Sequence, residues 1–143
     1  MTEEQTAKIN WLNRAFHAEK AAMAWRAKLE RDRSLAERIS RTGDGTGGGQ
    51  GNGTEDALIR LAQTEAETRE RLRELVDIRE EISTAIRQVD DPDMQAILVR
   101  HYLAYETFET VAEKMHYSVR SIKYKHKAAL DKVCIELHPV SVI

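Results

Sequence analysis

The sequence predicts an all-α protein in which a long antiparallel helical hairpin is followed by a helix-turn-helix bundle. Two long stretches, 3–41 and 55–89, contain neither glycine nor proline, and helix-forming residues dominate both. All seven glycines fall between them, in the segment 42–54. Two shorter helical patterns, separated by a tight turn, follow near the C-terminus. We therefore expect a coiled-coil-like helical hairpin over 1–90 and a helix-turn-helix domain over 91–138.

The first stretch has apolar residues on one helical face. Ile9, Leu12, Phe16 and Met23 recur at three, four and seven residues. This spacing places them on one side of an α-helix. Acidic residues at the start and basic residues at the end suit the helix dipole. We expect a single helix of about 35 residues, on the order of 50 Å long.

The second stretch carries a near-heptad pattern of similar length. Its apolar members are Leu58, Leu61, Leu72, Leu75, Ile82, Ile86 and Val89. Glu65, Thr68 and Arg79 fill the weaker places in the register. The pattern predicts that the two helices pack as an antiparallel hairpin, each burying the apolar stripe of the other. The weak positions leave a second expectation open, a homodimer through the hairpin.

The glycine-rich segment 42–54, TGDGTGGGQGNGT, admits two interpretations. A phosphate-binding loop needs Gly-x-x-x-x-Gly-Lys-Ser/Thr between a strand and a helix. This segment has no lysine and follows a helical pattern. We therefore interpret it as a flexible linker between the two long helices.

Cap residues divide the C-terminal part into three helices. Asp91 suits the N-cap of a helix of about twelve residues, with Pro92 at its first position. Thr107 can cap the next helix, and Ser118 can cap the last. These signals predict the short helices of the bundle.

The last two helices have the side chains that a helix-turn-helix needs. The small residue Ala112 lies where the helices would cross, and Met115, Tyr117 and Ile122 are expected to supply buried contacts. His116 occupies the turn, where positive φ is common and histidine is tolerated better than most side chains.

Angular positions separate an inward face of the last helix from an outward face. Stepping about 100° per residue from Ile122 places His126 on the inward face, where we expect a packed, hydrogen-bonded histidine. The outward face holds Arg120, Tyr124, Lys127 and Asp131, and Lys123 and Ser121 flank it. Lys125 falls nearer the core boundary.

Positive charge is concentrated in the last helix and just before it. From Lys114 to Lys132 there are six Lys/Arg against one acid, Asp131, a balance of 6 − 1 = +5 in a chain of net charge −2. A recognition helix reads base edges with its first turns, and flanking lysines contact phosphates. The base-contact candidates are Arg120, Ser121 and Tyr124, and the phosphate-contact candidates are Lys114, Lys123 and Lys127. A solvated or protein-docking face is the alternative, but the coincidence of the charge with a capped outward face favours DNA.

The segment TFETVAEKMHYSVRSIKYKHKAAL resembles region 4 of bacterial sigma factors, which reads the −35 promoter element. It is still more similar to a family of short phage and prophage proteins of Gram-positive bacteria, described as sigma-region-4-like or late-transcription regulators. The shared residues are Tyr117 and Ser118, His126, Ala129 and Leu130, and the earlier run Arg100, His101, Tyr102 and Leu103. The resemblance implies a sigma region 4-like bundle.

The resemblance also implies a function. It suggests a sequence-specific DNA-binding transcription regulator in the cytoplasm of a bacterial host, with double-stranded DNA as partner and RNA polymerase as a candidate partner. Val119, Arg120, Ser121 and Tyr124 occupy its promoter-reading positions. Sigma factors often carry Arg and Glu at the first two, so the −35 consensus is not implied as the target.

No residue pattern predicts an enzyme, a cofactor or a metal site. No sequence pattern indicates a nucleophile paired with a general base. Cys134 and His138 are too few for a structural zinc site, and we interpret Cys134 as a buried thiol. The single cysteine, the lack of a secretory signal and the lack of an apolar run of roughly 20 residues predict an intracellular protein that does not enter membranes.

A second class of function stays open. The chain could be an oligomeric scaffold or DNA-packaging adaptor, like a small terminase subunit, in which the helix-turn-helix is accessory. A ring of many subunits is expected for that class, and a monomer or dimer for a regulator.

Overall fold

A computed structural model describes residues 1–42 and 52–135 of the chain. The helices are α1 (Glu3–Leu12), α2 (Arg14–Thr42), α3 (Asn52–Arg87), α4 (Pro92–Leu98), a π-helical turn (Val99–Leu103), α5 (Phe108–Met115) and α6 (Val119–Lys132). The described ranges contain no strand, which confirms the all-α class. None of the helices in these ranges has the length and apolarity needed to cross a bilayer.

The single helix predicted over 3–41 is wrong in one detail, because the chain breaks between α1 and α2 at Asn13. There ψ is −2°, against about −42° in an α-helix. The Nε of Arg14 donates to the carbonyl oxygen of Trp11 at 3.0 Å. A continuous helix reserves that acceptor for a backbone N–H. The apolar periodicity of the sequence does not indicate that a side chain and a backbone N–H compete for this carbonyl oxygen.

Between residues 18 and 76 the described parts of α2 and α3 form one compact unit, called here the α2–α3 unit. The Oγ1 of Thr68 lies 3.2 Å from the carbonyl oxygen of Trp25, and Arg33 pairs with Glu65 at 3.6 Å. Higher residue numbers in α2 thus meet lower numbers in α3, as antiparallel segments require.

A polar layer, buried at Thr64 and exposed at Lys28, joins α2 to α3 within the α2–α3 unit. Thr64 Oγ1 donates to Asp32 Oδ2 at 2.7 Å, and Lys28 Nζ donates to the same oxygen at 2.9 Å. Hydrogen bonds from Lys28 and then Thr64 hold the pKa of Asp32 below its usual value. Thr64 and Thr68 are both buried, so a weak place in the heptad is filled by paired polar groups.

Residues 1–17 and 77–135 form a second compact unit, called here the α6 unit. Its main apolar cluster is Leu12, Ala15, Ile82, Ala85, Ile86, Val89, Leu98, Tyr102, Ala129, Leu130 and Val133. The predicted twelve-residue helix after Asp91 consists of α4 and the π-helical turn. In that turn Ala104 N–H donates to Val99 O at 3.0 Å, five residues back.

The domain division predicted at 90–91 stays a prediction. The chain turns between α3 and α4 close to that point, and α1 packs against α6 within the α6 unit. The predicted loop 42–54 falls mostly on 43–51, which lie outside the described residues, as do residues 136–138 of the predicted C-terminal domain. Thr42 is the last residue of α2 and Asn52 the first of α3.

Candidate nucleic-acid interface

Side-chain caps fix the starts of the two helices that carry the candidate interface. Thr107 Oγ1 accepts a hydrogen bond from Thr110 N at 3.1 Å at the start of α5. Ser118 Oγ accepts one from Ser121 N at 3.0 Å at the start of α6. Each bond satisfies a backbone N–H that has no partner within its helix. Both predicted caps are therefore confirmed.

A left-handed residue joins α5 to α6. His116 adopts φ 63° and ψ 42°, and Tyr117 N–H donates to Ala112 O at 3.0 Å. This geometry ends α5 within one residue and leaves Ser118 extended at the start of α6. The prediction of positive φ at His116 is confirmed.

A small apolar cluster holds α6 against α4 and α5. Ile122 is fully buried against Ile97 of α4 and against Val111 and Ala112 of α5. The small Ala112 side chain permits close approach of the two helices. Because the inward face of α6 is fixed in this way, its opposite face is presented to solvent.

The prediction that Tyr117 is buried is wrong. The residue is 37% exposed, and its hydroxyl donates to Asp93 Oδ2, which raises the pKa of Tyr117. Lys125 Nζ lies 3.8 Å from Asp93 and 5.1 Å from the centre of the Tyr117 ring. A phenol hydroxyl needs a polar partner, and the surface carboxylate supplies it. Lys125 is thereby neutralised and stays off the candidate interface, as its angular position predicts.

The candidate interface consists of Arg120, Tyr124 and Lys127 on the outward face of α6 and of Lys123 beside it. All four are exposed, and Tyr124 is 77% exposed. Within the described part of the chain, the three cations form no ion pair. Their charge is therefore available to an anionic partner, with an aromatic ring beside them.

The other three predicted site residues have different surroundings. Val119 is half-buried and packs against the cluster around Ile122. Ser121 is half-buried, and its N–H is used by the cap. Lys114 Nζ pairs with Glu106 Oε2 at 2.9 Å, which lowers the pKa of that carboxyl. The structure thus leaves Lys114 neutralised, in contrast to the cations of the candidate interface.

His126 confirms the expectation of a packed, hydrogen-bonded side chain. It is 5% exposed, its Nε2 lies 2.7 Å from Tyr102 Oη, and its ring contacts Phe108 with centroids 4.8 Å apart. Burial, and to a lesser degree the nearby His101, lowers the pKa of His126 to about 4. The imidazole is therefore neutral near pH 7 and belongs to the core.

Two residues of α1 contact α6 and were missed by the sequence analysis. Lys8 Nζ donates to Leu130 O at 2.9 Å, and Gln5 Nε2 donates to Asp131 Oδ1 at 3.0 Å. These contacts join residues more than a hundred positions apart. No periodicity in a single sequence signals such a pairing.

The interpretation of Cys134 as a buried thiol is wrong, because the residue is exposed. It lies two residues beyond Lys132, the last residue of α6, and so does not continue the inward helical face. His138 lies outside the described residues. In residues 1–42 and 52–135, no group of three or more His, Cys, Asp or Glu is placed to hold a metal ion.

The family described as a protein of unknown function, DUF1492, matches residues 38–138, more than half of the chain. Neither a curated protein nor a solved structure gives a significant match.

Proposed function

We propose that this chain, which belongs to the DUF1492 family, binds double-stranded DNA through the candidate interface and acts as a transcription regulator. The observation that carries the proposal is the set of unneutralised cations on the outward face of a capped, core-anchored helix. A solvated face remains the competing explanation, and the experiments below separate the two.

The electrostatic pattern supports a polyanion as partner. Lys114 and Lys125 are matched to carboxylates, whereas Arg120, Lys123 and Lys127 are left without one in the described chain. DNA binding gains free energy when such cations displace the counterions of phosphates. Because the three cations lie on one side of α6, they can contact the backbone of a single groove.

The local geometry supports a helix-turn-helix. α5, the left-handed His116 and α6 follow one another within 25 residues, Phe108 to Lys132, and Ala112 is buried where the two helices meet. The 14 residues of α6 give a rod of about 21 Å, and an α-helix fits the major groove. We infer that α6 is the recognition helix, that the bundle is sigma region 4-like, and that α2 and α3 form a helical hairpin.

The side chains suggest separate roles in recognition. Arg120 and Tyr124 lie one turn apart near the start of α6, where base edges come within reach. Arg120 can donate two hydrogen bonds to a guanine, and Tyr124 can contact a thymine methyl group. Lys123 and Lys127 would contact phosphates. Ser121, half-buried and engaged at the cap, would contribute little.

Regulation needs a second contact, which we assign to the α2–α3 unit. Leu35, Leu58 and Ile59 are between 40% and 54% exposed there. Apolar side chains exposed on a helical pair are common where a protein partner binds. A second copy of the chain and RNA polymerase are the partners that we propose.

A selection experiment tests the DNA-binding proposal. Duplexes enriched from a random-sequence pool by the wild type would be titrated with the double variant Arg120→Ala, Lys123→Ala. Loss of the Arg120 contact alone should cost about 1–3 kcal/mol on an enriched duplex and little on random DNA. The matched control is Arg26→Ala, Arg31→Ala, which removes the same charge from exposed positions of α2. Equal affinities for the two double variants would refute the assignment of α6.

The mass of the chain in solution tests the competing packaging function. Light scattering coupled to gel filtration should show a monomer or dimer if the chain is a regulator. A ring of many subunits would support a packaging adaptor instead.

A further inference from the structure

We propose that Lys8 and Gln5 of α1 are positioning residues that hold the C-terminal end of α6 for DNA binding. This inference rests on the proposed function, because it concerns how the recognition helix is oriented. It gives α1 a role in DNA binding, although the sequence patterns predict that α1 belongs to a separate hairpin.

Lys8 places a charged group where α6 ends. Lys8 is 8% exposed, and its Nζ donates to Leu130 O at 2.9 Å in a buried hydrogen bond. The last carbonyl groups of a helix lack partners within the helix and carry its negative dipole end. Val133 N–H also donates to Leu130 O, at 3.2 Å. The ammonium group therefore gives the Leu130 carbonyl oxygen a second donor and offsets part of the negative end of the helix dipole.

The chemistry of Lys8 indicates a positional role. A methionine would cover similar apolar surface without the cost of taking a charge out of water. Glu4, at 4.0 Å, is exposed and a weak partner for the ammonium group. What lysine adds at this place is a directional, charge-assisted hydrogen bond from α1 to α6.

Gln5 adds a second contact from α1 to α6, at Asp131. Asp131 lies one helical turn after the exposed Lys127. The Nε2 of Gln5 donates to Asp131 Oδ1 at 3.0 Å, while its Oε1 accepts from Thr2 N at 3.1 Å. The side chain is thus used at both ends, once for the cap of α1 and once for α6. It also occupies the one carboxylate of α6, Asp131.

The two ends of α6 are therefore anchored by different parts of the chain. Ser118 and the His116 turn fix the N-terminal end through α5, whereas Lys8 and Gln5 add directional hydrogen bonds from α1 to a C-terminal end that Ala129, Leu130 and Val133 already hold in the main apolar cluster. Apolar contacts alone have little directionality, so loss of these hydrogen bonds is expected to let that end of α6 shift and to change the angle at which its side chains meet base edges. The N-terminal helix is thus part of the DNA-binding unit.

The test compares the variant Lys8→Met with Lys127→Met and with the control Arg26→Met, each of which removes one cation. The probes are a fluorescein-labelled duplex enriched by the wild type and a duplex of random sequence. For Lys8→Met we expect about tenfold weaker binding to the enriched duplex, the size of one weakened base contact, with the salt dependence unchanged. For Lys127→Met we expect weaker binding to both duplexes and a salt slope smaller by about one.

Amide hydrogen exchange provides a readout that does not depend on DNA. Lys8→Met should accelerate exchange in residues 130–133 and leave residues 118–122 unchanged. Gln5→Glu is a second variant for the case in which Lys8→Met fails to fold. It keeps the acceptor for Thr2 N, places a carboxylate against Asp131, and should weaken binding to the enriched duplex.

Three results would overturn the inference or its premise in distinguishable ways. If Lys8→Met melts at a lower temperature but binds like Arg26→Met where it is fully folded, Lys8 is only structural. If its salt slope falls as for Lys127→Met, Lys8 contacts phosphate itself. If selection with the wild type enriches no duplex and the wild type does not bind random DNA, the proposed function fails, and hydrogen exchange alone decides whether Lys8 holds the end of α6.

Discussion

Protonation of His126 should destabilise the α6 unit as the pH falls from 6.5, the usual imidazole value, towards 4. The folded structure disfavours the charged ring, because the ring is buried against Phe108 and, to a lesser degree, because His101 lies nearby. No carboxylate is hydrogen-bonded to either ring nitrogen of His126 in the described chain. The unfolded chain can protonate the same ring freely.

The size and sign of the effect follow from the two pKa values. The pKa of His126 is about 4 when folded, against 6.5 for an imidazole exposed to water, so the unfolded chain binds more protons between these values. Stability is therefore fully present above pH 6.5 and decreases as the pH falls. The decrease reaches about 2 kcal/mol by about pH 5 and levels off near about 3 kcal/mol below the folded pKa.

Urea unfolding at a series of pH values measures this decrease. Trp25→Phe leaves Trp11, which lies in the α6 unit, as the fluorescent reporter. His126→Gln in the same background keeps a polar group near Tyr102 but removes the ionisation, so its stability should vary much less over the same range. Equal losses of stability in the two proteins would refute the explanation through His126.

Two further substitutions test other features of the fold. His116→Gly should stabilise the α6 unit by about 0.5–1 kcal/mol, since glycine adopts φ 63° without the strain of a side chain; His116→Ala, which keeps a Cβ, should give no such gain in urea unfolding. Thr64→Val should destabilise the α2–α3 unit by about 1 kcal/mol, because Asp32 loses the hydroxyl that donates to it at 2.7 Å; Trp25 fluorescence in a Trp11→Phe background measures it, and an unchanged midpoint would show that the polar layer contributes nothing.

Local signals in the sequence predict the α6 region well. The caps at Asp91, Thr107 and Ser118 are all present, and each depends on residues only three positions apart. The inward face of α6 also follows from periodicity, with Ile122 and His126 buried as predicted. Such features need no knowledge of the remaining chain.

Features set by distant or competing contacts could not be predicted. The break at Asn13 depends on a hydrogen bond from the Arg14 side chain to the carbonyl oxygen of Trp11. The hydrogen bond from Lys8 reaches Leu130, which is 122 positions further along the chain. Tyr117 has an apolar ring that favours burial and a polar hydroxyl that needs a partner. Asp93 lies at the surface and accepts the hydrogen bond of that hydroxyl, so the side chain stays exposed. In each case the composition of the sequence and the spacing of its apolar residues would be the same whether or not the contact formed.

Contact between the outward face of α6 and DNA is tested most directly by backbone chemical shifts during a titration. An isotope-labelled wild-type chain would be titrated with the enriched duplex at low salt. The largest shifts are expected in residues 118–127, and Arg120→Ala, Lys123→Ala should abolish them while the chain stays folded. Shifts confined to the α2–α3 unit, or none with any duplex, would contradict this expectation.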